Sequence, residues 1–174
     1  MEVEAIRLIA DQLADPTNGV NALLAGVPRY AGHTLPPNVT IYNEIERAEL
    51  ARRAVPKDAA LTYPALFVYE HGDASIEGHV QTDEQDCSID VAICYAVKKS
   101  DTAKGSQDAR YTMRAVRRSL VRLNDASEKD TGTSCWFIDI ERLRRLTLHA
   151  DMEDAIVTLT LVATINLRDD APRG

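Results

Sequence analysis

The run from Ala155 to Arg168 constrains this chain more than any other stretch. Val157, Leu159, Leu161, Ala163, Ile165 and Leu167 alternate with Thr158, Thr160, Thr164 and Asn166, and a period of two puts the first set on one face of a β-strand and the second on the other. Its neighbour in sequence, Cys135 to His149, reads as a partner strand. There Trp136, Ile138 and Ile140 share a face with Leu146 and Leu148, but Arg142 and Arg144 fall on that face too. A bulge or break near Arg142 is therefore expected. Cys87 to Val97 repeats the alternation, with Ile89, Val91, Ile93, Tyr95 and Val97 on one side and Ser88, Asp90 and Lys98 on the other; one face is expected to be buried and the other wet or shared. Ala65 to Tyr69 is a shorter apolar strand with Pro64 at its edge or first position. The polar stretch His71 to Asp86 is too long for a tight turn and is expected to extend these strands into a hairpin arm.

Helical spacing appears in four places. Ala5, Ile6, Ile9, Ala10 and Leu13 predict an amphipathic helix over 2–14, ended by Asp15-Pro16. A short helix follows from Val20 to Ala25, with Asn18 or Thr17 as cap and Gly26 just past its end. Pro28, Gly32, Pro36 and Pro37 then mark an extended connector, and Asn43 is placed to cap a helix through Ala54, with Glu46 at the capping-box position. Gly105-Ser106 opens the strongest helix, Gln107 to Asn124, whose apolar stripe is Met113, Val116, Leu120 and Leu123. The fold class expected is α+β: an antiparallel sheet of about four long strands with one main helix packed on it and N-terminal helices. The 174 residues make one domain, with helices over 1–26, a connector over 27–60, the sheet and central helix over 61–168 and a tail over 169–174.

Composition narrows the classes. Apolar residues at 45% and charged residues at 27% are globular averages, and a net charge of −7 is a poor footprint for wholesale binding to nucleic acid or an anionic membrane. The acidic opening Met1-Glu2-Val3-Glu4 lacks the basic patch and apolar core of an export signal. The longest nearly apolar stretch, Ala155 to Ile165, is too short for a membrane span. Three cysteines, Cys87, Cys94 and Cys135, show no C-x-x-C spacing, so reduced, buried thiols are expected. Asn38-Val39-Thr40 matches a glycosylation sequon that, without a secretory route, is read as a chance match.

No sequence motif of catalysis stands out. A phosphate loop, paired metal-binding histidines on a helix turn, a nucleophile elbow and a dinucleotide fingerprint are all missing. Lys104-Gly105-Ser106 lacks the preceding glycine of a phosphate loop and is read as a capped helix start. His71, His79 and Asp73 sit in a polar loop without ligand spacing. Tyr95, Cys94 and Asp90 have no His or Lys partner nearby in sequence. The expectation is a non-enzyme with no cofactor and no metal.

The feature that exceeds background is a run of arginines. Arg110, Arg114, Arg117, Arg118 and Arg122 recur at three- and four-residue spacing, and with Lys104 against Asp108 alone they give the segment 104–122 a net charge of +5, leaving −12 on the rest of the chain. Three readings stand: a solvated helix face, a phosphate-binding face, or a subunit interface. In the last, Arg110, Arg114, Arg117 and Arg118 meet the acidic stretch Asp83, Glu84 and Asp86 of a second copy, and Asp151, Glu153 and Asp154 contact another partner. Glu128 and Asp130 are a further acidic candidate.

The order of elements carries a resemblance. A strand Tyr63-Pro64-Ala65-Leu66-Phe67-Val68-Tyr69, a polar arm, the strand Cys87 to Val97, one long helix containing Arg110-Tyr111-Thr112-Met113-Arg114-Ala115-Val116-Arg117-Arg118-Ser119-Leu120, and a terminal hairpin ending Thr158-Leu159-Thr160-Leu161-Val162-Ala163 resemble the tail-terminator (tail-completion) proteins of long-tailed bacteriophages. The resemblance runs from about Tyr63 onward and is one of architecture, without a diagnostic motif. It implies a virion protein, assembled in the host cytoplasm, that forms a ring of six subunits on the last ring of tail-tube protein. Such a ring stops tube growth and offers its other face to the head-tail connector or head-closure protein, while DNA passes through the lumen without specific binding. Another neck protein, a head-closure or adaptor ring, has nearly the same texture. A small nucleic-acid-binding α+β module using the arginine helix is the further alternative.

Overall fold

The computed structural model describes residues 2–43, 61–70, 84–129, 135–150 and 154–168. Helix α1 (Glu2–Ala14) buries the five predicted residues Ala5, Ile6, Ile9, Ala10 and Leu13. Its end is set by Asp15, whose Oδ1 accepts from the backbone N–H groups of Thr17 and Asn18. Helix α2 (Val20–Leu24) follows, and its cap corrects the sequence reading: Gly19, not Asn18 or Thr17, is the N-cap, with no side-chain cap bond. A Cβ on Gly19 would lie 2.3 Å from the Asp15 carbonyl oxygen and 2.5 Å from that of Leu13, so only glycine lets the two helices approach this closely.

Strand β1 (Thr40–Asn43) is a second correction. It lies inside the segment read as connector and helix, and Asn43 is its last residue; the rest of the helix expected through Ala54 falls outside the described residues. Strands β2 (Ala65–Glu70), β3 (Glu84–Lys98), β4 (Cys135–Ala150) and β5 (Asp154–Arg168) complete a five-stranded sheet of order β1-β2-β3-β5-β4. The fold is α+β as expected, but the sheet is mixed, because β1 runs parallel to β2 while the other pairs are antiparallel. Four residues between prolines and a helix signal are too few to register as a period-two pattern. The arm from His71 lies outside the described residues up to 83, and Glu84 to Asp86 belong to β3.

The β3–β5 ladder is unbroken over 15 residues of each strand, from Glu84 opposite Arg168 to Lys98 opposite Asp154. Opposite charges thus occupy both end positions, and a slip of one residue would move the apolar set to the wrong face. In β4 the register shifts between Ile140 and Arg142, where the sequence demands a bulge. Before the shift Ile138 and Ile140 pair with Ile165 and Ala163; after it Leu143 pairs with Leu161, while Arg142, Arg144, Leu146 and Leu148 pair with Val162, Thr160, Thr158 and Ile156. Leu146 and Leu148 thus stand in register with the two arginines and not with Ile138 and Ile140 as the sequence suggested.

All the described helices cover one face of the sheet. Helix α3 (Thr102–Lys129), entered through a 3-10 turn at Lys99–Asp101, is longer at both ends than predicted. Its stripe Met113, Val116, Leu120 and Leu123 is buried as expected, against Ile89, Val91, Ile93, Leu159, Leu161, Ala163 and Ile165. Gly105 lies within the first turns rather than opening the helix. A Cβ there would sit 2.8 Å from Val97 Cγ1 and 3.4 Å from Val157 Cγ2, so the residue serves close helix–strand approach. The opposite face is also buried at its centre, where a second cluster joins Leu61, Ala65, Phe67, Ala92, Cys94 and Ile156, with Tyr42 stacked on Phe67 at 5.4 Å. The wet or shared face expected of β3 is therefore dry around Ala92 and Cys94. Cys87 and Cys94 are buried thiols.

Candidate interaction face on the central helix

Successive residues of an α-helix turn by about 100°, which splits the arginines of α3 into two groups. Taking Arg110 as origin, Arg117 lies about 20° to one side and Arg114 about 40° to the other, whereas Arg118 and Arg122 lie about 80° and 120° round the helix. All five are exposed. Burial of Met113, Val116, Leu120 and Leu123 against the sheet fixes which way each group points.

Arg118, Arg122 and part of Arg114 are engaged within the chain. Arg118 Nη1 donates to the Gly26 carbonyl at 2.7 Å, Arg114 Nη1 to the Pro28 carbonyl at 3.4 Å, and Arg122 Nη1 to Asn18 Oδ1. The residues after α2 leave carbonyls without helical partners, and Arg118 and Arg114 take up two of them, while Arg122 takes a side-chain oxygen ahead of α2. Arg114 also lies over the Tyr111 ring, 5.6 Å from its centroid. The connector is pinned further along by the Tyr30 N–H donating to Tyr111 Oη at 3.0 Å and by His33 Nε2 against Asp108 Oδ1 at 2.9 Å, with the His33 and Tyr111 rings 4.6 Å apart. A groove of about 570 Å³ between α2 and α3 is lined by Leu23, Arg118, Val121 and Arg122, and Val121 is 51% exposed in it.

Arg110 and Arg117 are different. Among the residues whose side chains are described (5–43, 61–70, 87–125 and 155–165), neither has a hydrogen-bond partner and no carboxylate lies within 4.0 Å of any arginine of α3. With Arg114 they frame a depression of about 210 Å³ whose floor is Met113 and Leu159. Of the acidic residues named from sequence, Glu128 lies on α3 itself, close to its C-terminal end. Glu84 and Asp154 stand at opposite ends of the β3–β5 ladder, Asp86 is opposite Asn166, and Asp83, Asp151 and Glu153 fall outside the described residues. Fourteen steps of about 3.3 Å separate the two ladder ends by roughly 46 Å. Described acidic residues are spread over α1 (Asp11), β3 (Asp86, Asp90), α3 (Asp108, Asp125) and the start of β5 (Asp154), while Arg110, Arg114, Arg117, Arg118 and Arg122 all lie on α3.

A third feature escaped sequence reasoning. A cleft of about 480 Å³ is lined by Pro37, Tyr63, Pro64, Tyr95, Lys98, Lys104, Gly105 and Asp108. Beside it Tyr95 Oη and Thr112 Oγ1 are 2.7 Å apart. Burial pushes the Tyr95 phenol up to about 12, opposed by its bond to Thr112 and helped by the charge of Asp108. Burial likewise pushes the Cys94 thiol up to about 11, against its contact with Thr158. Neither group is an activated nucleophile at neutral pH. Asp108 and His33 stand 75 positions apart in the chain; the one signal for their meeting is that Asp108 is the single acid in a basic segment. Among the described residues no group of three His, Cys, Asp or Glu side chains is placed to hold a metal, while His71, His79 and Asp73 lie outside them. No described helix is long and apolar enough to cross a membrane. No model of a known protein family matches this chain, and no curated protein matches it.

Proposed function

We propose that this chain is a structural virion protein, a tail terminator that forms a ring, caps the tail tube, stops its polymerisation and joins it to the head-side connector while DNA passes through. The observation that carries the reading is the segregation of charge: an arginine face on α3 without a carboxylate partner among the described residues, on a chain that is −12 outside the segment 104–122. Opposite charges held on different surfaces favour head-to-tail contact between identical copies, and such heterologous contacts close into rings when the rotation allows. The fold supports it too, since one long helix lies on a sheet whose β4 and β5 run 16 and 15 residues. In this reading the protein works in the virion neck, with six copies around the lumen, and needs no catalytic group and no cofactor.

The test is functional. Purified protein added to the polymerising tail-tube protein of the same phage gives tubes of limited length, each capped at one end by a ring in electron micrographs. Unchanged tube growth with no ring at the ends overturns the terminator reading; rings that bind connector protein but leave tube growth unaffected move the protein to a head-closure role.

A further inference from the structure

We propose that the depression framed by Arg110, Arg114 and Arg117 over Met113 and Leu159 receives a carboxylate side chain from a second copy of this chain, while Arg118 and Arg122 are clasps within one subunit. The inference rests on the self-assembly proposed above and divides an arginine face that the sequence presents as one. Arg110 and Arg117 are seven residues apart, about 10.5 Å along the helix axis, and neither guanidinium group has a partner among the side chains that are described, 5–43, 61–70, 87–125 and 155–165. Arg118 and Arg122 point toward α2 and already hold Gly26 and Asn18.

The chemistry of the depression suits a carboxylate. A guanidinium fork matches the two oxygens of a carboxylate, and such charge-assisted pairs are about twice as strong as neutral hydrogen bonds. The apolar floor of Met113 and Leu159 displaces water when the site is filled, which lowers screening and strengthens the pair. A second copy supplies the charge, because −12 lies outside this helix segment. Polyanionic nucleic acid is disfavoured by the net charge of −7.

The test uses the full chain and compares wild type, R110Q/R117Q and R118Q by light scattering over a concentration series, with circular dichroism melting of each. The inference expects wild type to exceed monomer mass, R110Q/R117Q to assemble at least about tenfold more weakly with an unchanged melting temperature, and R118Q to keep its mass while melting lower. Wild-type affinity in R110Q/R117Q overturns the inference and leaves the ring reading intact. A wild type that stays monomeric at every concentration overturns both. A duplex DNA fragment serves as the competing probe: DNA binding that is lost in R110Q/R117Q while mass is unchanged assigns the depression to phosphate and overturns the inference.

Discussion

The contact between Tyr95 and Thr112 ties β3 to α3 at the point where the basic helix crosses the sheet, and removing it has a calculable cost. The two hydroxyls are 2.7 Å apart, with Tyr95 4% and Thr112 0% exposed. Tyr95→Phe removes one bond and leaves Thr112 Oγ1 able to bond a carbonyl of the preceding helical turn, so the loss is about 1 kcal/mol. Thr112→Val leaves the phenol buried without its partner and costs about 1 to 3 kcal/mol. In the double variant both polar atoms are gone, so its loss falls short of the sum of the single losses by about 1 kcal/mol. Urea unfolding of the four proteins measures this cycle, and strict additivity refutes the bond as the source of the coupling. Alkaline pH gives a second readout. Tyr95 ionises near 10 when unfolded and near 12 when folded, so native stability is complete below about pH 10 and is lost as pH rises through about 12, by about 2 to 3 kcal/mol at most. Tyr95→Phe abolishes that share of the alkaline loss, and an identical alkaline slope in wild type and variant refutes the assignment.

Gly105→Ala gains about 1 kcal/mol of helix propensity but drives a methyl to 2.8 Å from Val97 Cγ1, on a β-branched side chain that cannot easily turn away. It therefore destabilises the wild-type background by about 1 kcal/mol and stabilises a Val97→Ala background by a similar amount; calorimetric melting of the four proteins checks the reversal of sign. Leu120→Ala empties a fully buried position in the α3 stripe and costs about 2 to 5 kcal/mol, read as a lowered urea midpoint with the folded far-UV spectrum retained below the transition.

Elements with a long, regular period were legible before the fold was seen. The alternation from Val157 to Leu167 places β5, and two arginines falling on an apolar face point to the irregularity near Arg142, one of three register shifts in β4. The stripe of α3 is equally plain, because Met113, Val116, Leu120 and Leu123 have one spacing and one burial. What was missed is non-local or short. Four residues of β1 carry no period, and their pairing with β2 is set by the rest of the sheet. The α2 cap went to Gly19 because two carbonyls crowd the site, which overrides the capping preference of Asn18 and Thr17. His33 meets Asp108 only after the connector has folded back over α3. The arginines were legible as a cluster; their division into clasps and free groups depends on where α2 packs.

The central claim is that segregated charge drives copies of this chain together. Light scattering of the wild-type protein at about 0.1 M and about 1 M salt, where the screening length falls from about 10 to about 3 Å, tests it directly. The account predicts a mass near six times 19.2 kDa at the lower salt, shrinking toward one subunit at the higher. A mass of 19.2 kDa at both salts and at every concentration contradicts it.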